Sequence, residues 1–400
     1  MSALRGQVQE QGFGRRNLGD EPLVYHCNFY NYWLQKTVLL VDDLGMEEII
    51  QDAAAASAFA CLKGLSGQDS EQAEALFAYL GFGQIDLSEV TAAGGHATTS
   101  VSHYGQCLSS AAGVPFAKPQ SRFDAGFAAG AGAWAHGRLA SGFGASIQAC
   151  MSVGAEQGKV GLKGRVKPDF MQTYGMGPAS TDARPPNTWA AVDQAAVDRA
   201  VQALHLVGNE EGLIPRFGVM LTQHFAHFYN RLSFEFLRRM SHTGMRMAGE
   251  HLLIDAGYRC AFHTFGGIFN SAEWEALMGS KVASREAGAH SMASIVSALG
   301  WGRWRLVEIS DRRAVLRLYD DYESLGYQAM YGAASRPVAF LAAGGLGGLM
   351  NLLYLGDVLD KPVLDNDYFE RVFEHPDSFA VHQTKSIAMG DAYSEIVADR

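Results

Sequence analysis

The sequence predicts an α/β fold of the α+β kind: two repeats of a mostly antiparallel sheet with helices packed on it, paired as an internal pseudo-dimer. Three observations predict it. Four short marks recur in the same order in both halves. Segments with helical spacing are followed by paired extended runs joined by short polar turns. A proline-rich stretch separates the halves.

The marks come in chain order. Phe29-Tyr30-Asn31 is matched by Phe228-Tyr229-Asn230, and Gly45-Met46 follows the first as Gly244-Met245 follows the second, at the same spacing. Leu80-Gly81-Phe82-Gly83 is matched by Leu299-Gly300-Trp301-Gly302, each running into an extended stretch. Ala128-Ala129-Gly130 is matched by Ala342-Ala343-Gly344, each opening a run of small residues. A closing strand pair around Gly154 is matched by one around Gly390, which aligns Cys150 with Ser386 and Gly158 with Ser394. Each copy therefore reads helix, helix, strand, strand, helix, strand. In the second copy Leu221, Phe225, Phe228, Leu232 and Phe236 keep helical spacing. Val307, Ile309, Val315, Leu316 and Leu318 read as strands around the turn Asp311-Arg312-Arg313. Consecutive strands with short turns pair antiparallel.

Lys167 to Asn187, with Pro168, Pro178, Pro185 and Pro186, forms the boundary, and Asn187 or Thr188 is placed to cap a helix through Val192, Val197, Val201 and Leu204. The domains are thus 1–165, a linker and helix over 166–215, and 216–400. A chain of 400 residues that is 48% hydrophobic and 18% charged can build two cores. Its net charge of -10, without a basic run, argues against a nucleic-acid binder. The five scattered cysteines, Cys27, Cys61, Cys107, Cys150 and Cys260, form neither a disulfide framework nor a zinc pair, which points to a cytoplasmic protein. Pro337 to Gly356 carries no charge, but its glycines and Asn351 read as a buried helix rather than a membrane span.

Taken together, the marks resemble the four-vinyl-reductase domain family, fairly well over about 216–400 and weakly over about 20–165. The closing element that carries the resemblance is Thr384-Lys385-Ser386-Ile387-Ala388-Met389-Gly390-Asp391, running into Tyr393 to Val397. The resemblance implies a hydrophobic pocket between helices and sheet, with a small hydrophobic or aromatic molecule as partner. It also implies domains that pair, within the chain or as a homodimer. Many relatives place two cysteines in the closing strands as part of a zinc site. Here Ser386 and Ser394 stand in one copy, and Cys150 and Gly158 in the other. A hydroxyl is a poor zinc ligand beside a thiolate, so the resemblance leaves the zinc site absent and the cofactor unknown.

Phe225, Phe228, Tyr229, His227, His251 and His263 are the candidate ligand-binding residues. His224, His227 and His251 are a candidate metal set for iron or another transition metal, or for acid–base work, with Glu235, Glu250 and Cys260 nearby. The plainer reading makes them separate surface or core histidines, since no His-Glu-x-x-His pattern is present. His96, His103, Tyr104 and Cys107 cluster on the second strand of the first copy, where a Cys107 nucleophile with a His103 base is conceivable but lacks an acid partner. Gly130 to Ala135 fits a relaxed dinucleotide fingerprint, yet no strand precedes it; small residues there let helices pack closely. Three functions remain open: binding of a small hydrophobic molecule, an enzyme acting on such a molecule, or an accessory docking protein. No catalytic residue is assigned.

Overall fold

Each half carries near its start a strand buried on both faces, Glu21–Cys27 in the first and Val219–Phe225 in the second, and the pair organises the molecule. The computed structural model describes residues 4, 6–10, 14–41, 44–113, 116–138, 142–165, 174–175, 192–279 and 282–400. The proline-rich segment and its proposed cap, Asn187 or Thr188, lie outside the described residues apart from Tyr174 and Gly175.

The first half runs β1 (Gln9–Glu10), β2 (Arg16–Leu18), β3 (Glu21–Cys27), α1 (Asn28–Leu39), α2 (Met46–Leu62), α3 (Ser70–Tyr79), β4 (Gly83–Asp86), β5 (Val90–Thr91) and β6 (Gly94–Ser102). A π-helical turn (His103–Cys107), α4 (Leu108–Ala112), α5 (Arg122–Ala135), β7 (Phe143–Ala149) and β8 (Gly158–Gly164) complete it. The second half opens with α6 (Gln194–Ala203), β9 (Ile214–Arg216), β10 (Val219–Phe225), α7 (Ala226–His242), α8 (Arg246–Asn270), α9 (Ala272–Leu277) and α10 (Arg285–Ala298). It closes with β11 (Arg303–Ile309), β12 (Arg313–Tyr319), α11 (Tyr322–Tyr331), α12 (Phe340–Tyr354), α13 (Asn366–Phe373), β13 (Ala380–Lys385) and β14 (Ser394–Asp399).

Every described strand pair is antiparallel. The first half forms a sheet in the order β4-β6-β8-β7, with β5 on β6, and the second forms β11-β12-β14-β13. The two orders correspond strand for strand. A third sheet, β1-β2-β3-β10-β9, takes strands from both halves. At its centre β3 pairs with β10, Tyr25 opposite Gln223.

The small-residue runs lie inside helices. In α5, an added Cβ at Gly126 or Gly130 would strike the α2 backbone at Gln51 O or Ala55 O, at 2.2 and 2.3 Å. In α12, Gly344 meets α8 at Ile254 O at 2.1 Å. Glycine permits these two helix pairs to approach, so the dinucleotide fingerprint at Gly130 is the middle of a packed helix with no strand before it. The uncharged stretch from Pro337 is the buried helix α12, and among the described residues no helix is long and apolar enough to cross a membrane.

Two sequence expectations change. The helix expected from Leu221 starts only at Ala226; Leu221 to Phe225 belong to β10. Both faces of β10 are covered, so its apolar residues fall into helical spacing as readily as into alternation. His103 and Tyr104 sit in the π-helical turn after β6, not on the strand, and both are buried. The helix expected through Val192 to Leu204 is seen as α6, capped by Asp193, whose Oδ1 accepts the Ala196 N–H at 3.0 Å.

Candidate functional site

The Leu-Gly-aromatic-Gly turns tie the halves together crosswise. Gly81, Gly83, Gly300 and Gly302 all have φ between 86° and 115°, a region in which a side chain is strained. The turn so formed presents Leu80 O to the Gln223 N–H at 2.8 Å, and Leu299 O to the Tyr25 N–H at 2.9 Å. Each turn of one half thereby docks on the leading strand of the other.

The inner face of β3 and β10 repeats this crossing with side chains. His26 and His224 lie on the same face, two register positions apart. Tyr104 of the first half hydrogen-bonds His224 Nε2 at 2.9 Å, and Tyr322 of the second half bonds His26 Nε2 at 3.1 Å. Phe82 lies 4.9 Å from the His224 ring and Trp301 4.7 Å from the His26 ring, centroid to centroid. His224 Nδ1–H donates to Phe225 O, which leaves Nε2 to accept the tyrosine proton. Tyr229 donates to Asn31 Oδ1 at 2.5 Å, and Asn31 Nδ2 donates to His103 Nε2 at 2.9 Å. Burial drives all three imidazoles to the neutral form: His26 and His224 fall well below the usual range and His103 to about 3. Asp124, beneath the Ser102 hydroxyl that donates to it, is pushed by burial up to about 7.

The opposite face of the same strand pair is not filled. Tyr25 and Gln223 line a half-open cavity of about 450 Å³ between the central sheet and α6. Tyr79, Val201, Leu206 and Val207 give it apolar walls; Arg16 and Glu10 close one side, and His205 and Gln202 lie on the helix side. Tyr25 is fixed by donating to Leu206 O at 2.8 Å. The Arg16 guanidinium lies 5.3 Å from the Tyr25 ring centre and donates to Gly14 O and Ala298 O at 3.0 and 3.2 Å. Gln223 is 2% exposed, and its side-chain oxygen has no hydrogen-bond partner. A buried amide oxygen left bare is costly, at about 1–3 kcal/mol.

The candidate ligand residues named from sequence do not converge. Phe225, Phe228 and Tyr229 belong to the filled aromatic core around His224. His227 opens α7, where its backbone N–H donates to Glu21 and its Nε2 meets Tyr174 O. His263 stacks on Phe29, centroids 4.0 Å apart. His251 lines a smaller hollow of about 190 Å³ with Met247, Glu250, Arg336 and Phe340. The metal candidates His224, His227 and His251 are therefore on three separate surfaces. Among the described residues no group of three or more histidine, cysteine, aspartate or glutamate side chains is placed to hold a metal. Cys107 is buried, with its thiol pushed up to about 12, and its carbonyl rather than its sulfur meets Asn28.

The closing strands place Ser386 and Ser394 together, both buried, around Ser324 and Asp321. Ser324 Oγ lies 3.4 and 3.1 Å from the two hydroxyls, and Ser394 donates to Asp321 Oδ2 at 2.8 Å. Three hydroxyls and one carboxylate bonded to one another do not suit zinc, which takes thiolate, imidazole and carboxylate donors. In the first half Cys150 meets Ser152 Oγ at 3.1 Å, and a Cβ at Gly158 would strike Thr99 Oγ1 at 2.2 Å.

No family model matches the chain, and no curated protein matches it. Among solved structures, the phenol-responsive sensory domain of the transcription activator PoxR, in a crystal with phenol, is similar over 53% of this chain and 91% of that one. The identity is 10% and the TM-score 0.35, too low to carry an argument about site or ligand.

Proposed function

We propose that this chain binds a small hydrophobic or aromatic molecule in the cavity between the central sheet and α6. The observation that carries the reading is a 450 Å³ space at the junction of the two halves, lined by Tyr25, Tyr79, Val201, Leu206 and Gln223. The size falls within the range of roughly 300–1,000 Å³ usual for small-molecule sites, and the lining mixes apolar residues with the polar Glu10, Arg16, Gln202, His205 and Gln223. Burial of the ligand's apolar surface would supply the driving force. The polar lining, Glu10, Arg16, Gln202 and His205, would meet a polar group of the ligand, and the Tyr25 ring, held by Arg16 and Leu206, would set orientation. We also read the chain as a tandem of four-vinyl-reductase-like domains; the matching strand orders and the crossed turns support that reading.

Native mass spectrometry and thermal shift with phenol, aniline and benzoate as probes test the binding reading. Val201→Trp fills the cavity from α6 and should abolish binding while leaving the circular dichroism unchanged. Gln223→Trp, which fills the space from the sheet side, should likewise abolish binding. Unaltered binding in both variants would refute the site.

A further inference from the structure

We propose that Cys27 and Cys260 form an oxidisable thiol pair that a small hydroperoxide converts to a disulfide, covalently joining the first half to the second. Cys27 ends β3 and caps α1; Cys260 lies in α8. Their sulfurs are 4.0 Å apart although 233 positions separate them in the chain. The Thr264 hydroxyl, one turn after Cys260, stands between them, 2.7 Å from Cys27 Sγ and 3.1 Å from Cys260 Sγ. One hydroxyl can donate to the first sulfur while accepting from the second.

The two thiols are unequal. Burial pushes Cys27 up, but bonds from Cys260, Thr264 and the backbone N–H groups of Tyr30 and Phe29 outweigh it and bring the thiol below its usual range. A helix N-terminus favours a thiolate for the same reason. Burial first, then the neighbouring Cys27, holds Cys260 in its protonated form. The pair thus has a nucleophile and a protonated resolving thiol. Cys61, Cys107 and Cys150 are also free and buried, but burial pushes Cys61 and Cys107 up, away from the reactive thiolate.

The chemistry balances with a hydroperoxide as oxidant. The Cys27 thiolate attacks the terminal peroxide oxygen; the O–O bond breaks, and the departing alkoxide or hydroxide takes up a proton. Cys27 becomes a sulfenic acid. The Cys260 sulfur then attacks the Cys27 sulfur, the S–O bond breaks, and the Cys260 proton passes through Thr264 to the leaving hydroxide as water. Two thiols and one hydroperoxide give one disulfide, one alcohol or water, and one water. Both sulfurs are buried, at 1% exposure each, which shuts out bulky reagents and leaves small peroxides.

The test is hydrogen peroxide on the intact native protein, with the remaining thiols alkylated after unfolding and peptides read by mass spectrometry. The expected product is a peptide cross-linked through Cys27 and Cys260, reversed by dithiothreitol, with the other three cysteines still alkylated. Cys260→Ala should give no cross-link and a Cys27 sulfenic acid that dimedone traps when the protein is unfolded in its presence after the peroxide is removed. Thr264→Val, which keeps shape and fold, should slow the cross-link roughly ten-fold, as one hydrogen bond to a charged sulfur is worth. Two free thiols after exhaustive peroxide treatment, cross-links to other cysteines, or an unchanged rate in Thr264→Val would overturn the assignment.

Discussion

The two faces of the β3–β10 pair are built from the same strands and differ in what covers them. On the inner face each histidine meets a tyrosine and a ring from the opposite half, so that His26, Tyr322 and Trp301 mirror His224, Tyr104 and Phe82. On the outer face Tyr25 and Gln223 are opposite each other but unlike, and the cover comes from α6 and from β1 and β2. The symmetric face joins the halves through ring contacts and hydrogen bonds. The asymmetric face keeps a space. Buried polar atoms without a partner occur on both sides, His26 Nδ1 and His103 Nδ1 on the inner and Gln223 Oε1 on the outer, so it is the space and not the polar atom that separates the two faces.

Breaking the inner face should have the largest effect. Trp301→Ala removes the ring over His26 together with the Nε1 bond to Tyr25 O, and Phe82→Ala removes its counterpart over His224. Each should cost about 3–5 kcal/mol in urea unfolding, as truncation of buried aromatics does. Trp301→Ala, which also leaves Tyr25 O bare, should cost about 1–3 kcal/mol more than Phe82→Ala.

The next effect is one of pH. Burial holds His26 and His224 neutral when folded, whereas the unfolded chain takes up protons below about pH 6.5. Their contribution is therefore harmless above that pH and destabilising as pH falls below it. Asp124, at about 7, and Glu323, at about 8, run the other way. Their folded forms keep protons that the unfolded chain releases above about pH 4, so their contribution is present in acid and lost as pH rises through 7 and 8. Replacing both histidines, His26→Phe with His224→Phe, should flatten the acid limb of stability against pH by about 1.4 kcal/mol per pH unit for each. An unchanged slope would mean that these imidazoles become charged in the fold.

Much of this plan is legible in the sequence. The Leu-Gly-aromatic-Gly turns announce themselves because each needs two glycines at positive φ. The small-residue helices are legible because close helix contact excludes side chains. The leading strands are not, since a strand buried on both faces loses the alternation that identifies it. His224 and His227 therefore read as neighbours on one helix, whereas the strand-to-helix change between them sends their side chains to different surroundings. The cavity was invisible for another reason. Its lining comes from residues as distant as Glu10, Tyr79, Val201 and Gln223, which share no local pattern. A buried glutamine on a strand was the available signal, and it carries no spacing to read.

The smallest effect compares the closing strands of the two halves. Ser394 accepts the Ile387 N–H at 3.1 Å and donates to Asp321. Ser394→Ala should cost about 1–3 kcal/mol by leaving those partners bare. Gly158 holds the corresponding place in the first half, where Gly158→Ala should cost stability for a different reason, collision with Thr99 Oγ1. Thermal unfolding of the pair sharpens the contrast: Ser394→Cys should retain part of the lost stability, and Gly158→Ser should retain none.

The claim that the outer face is the binding face is tested most directly by methyl-labelled NMR with an aromatic probe added to the intact protein. We predict that the methyl signals of Val201, Leu206 and Val207 shift on titration while those of Leu232 and Leu316, buried in the second half's core, stay fixed. Shifts confined to the core methyls, with Val201 and Val207 silent, would contradict the account.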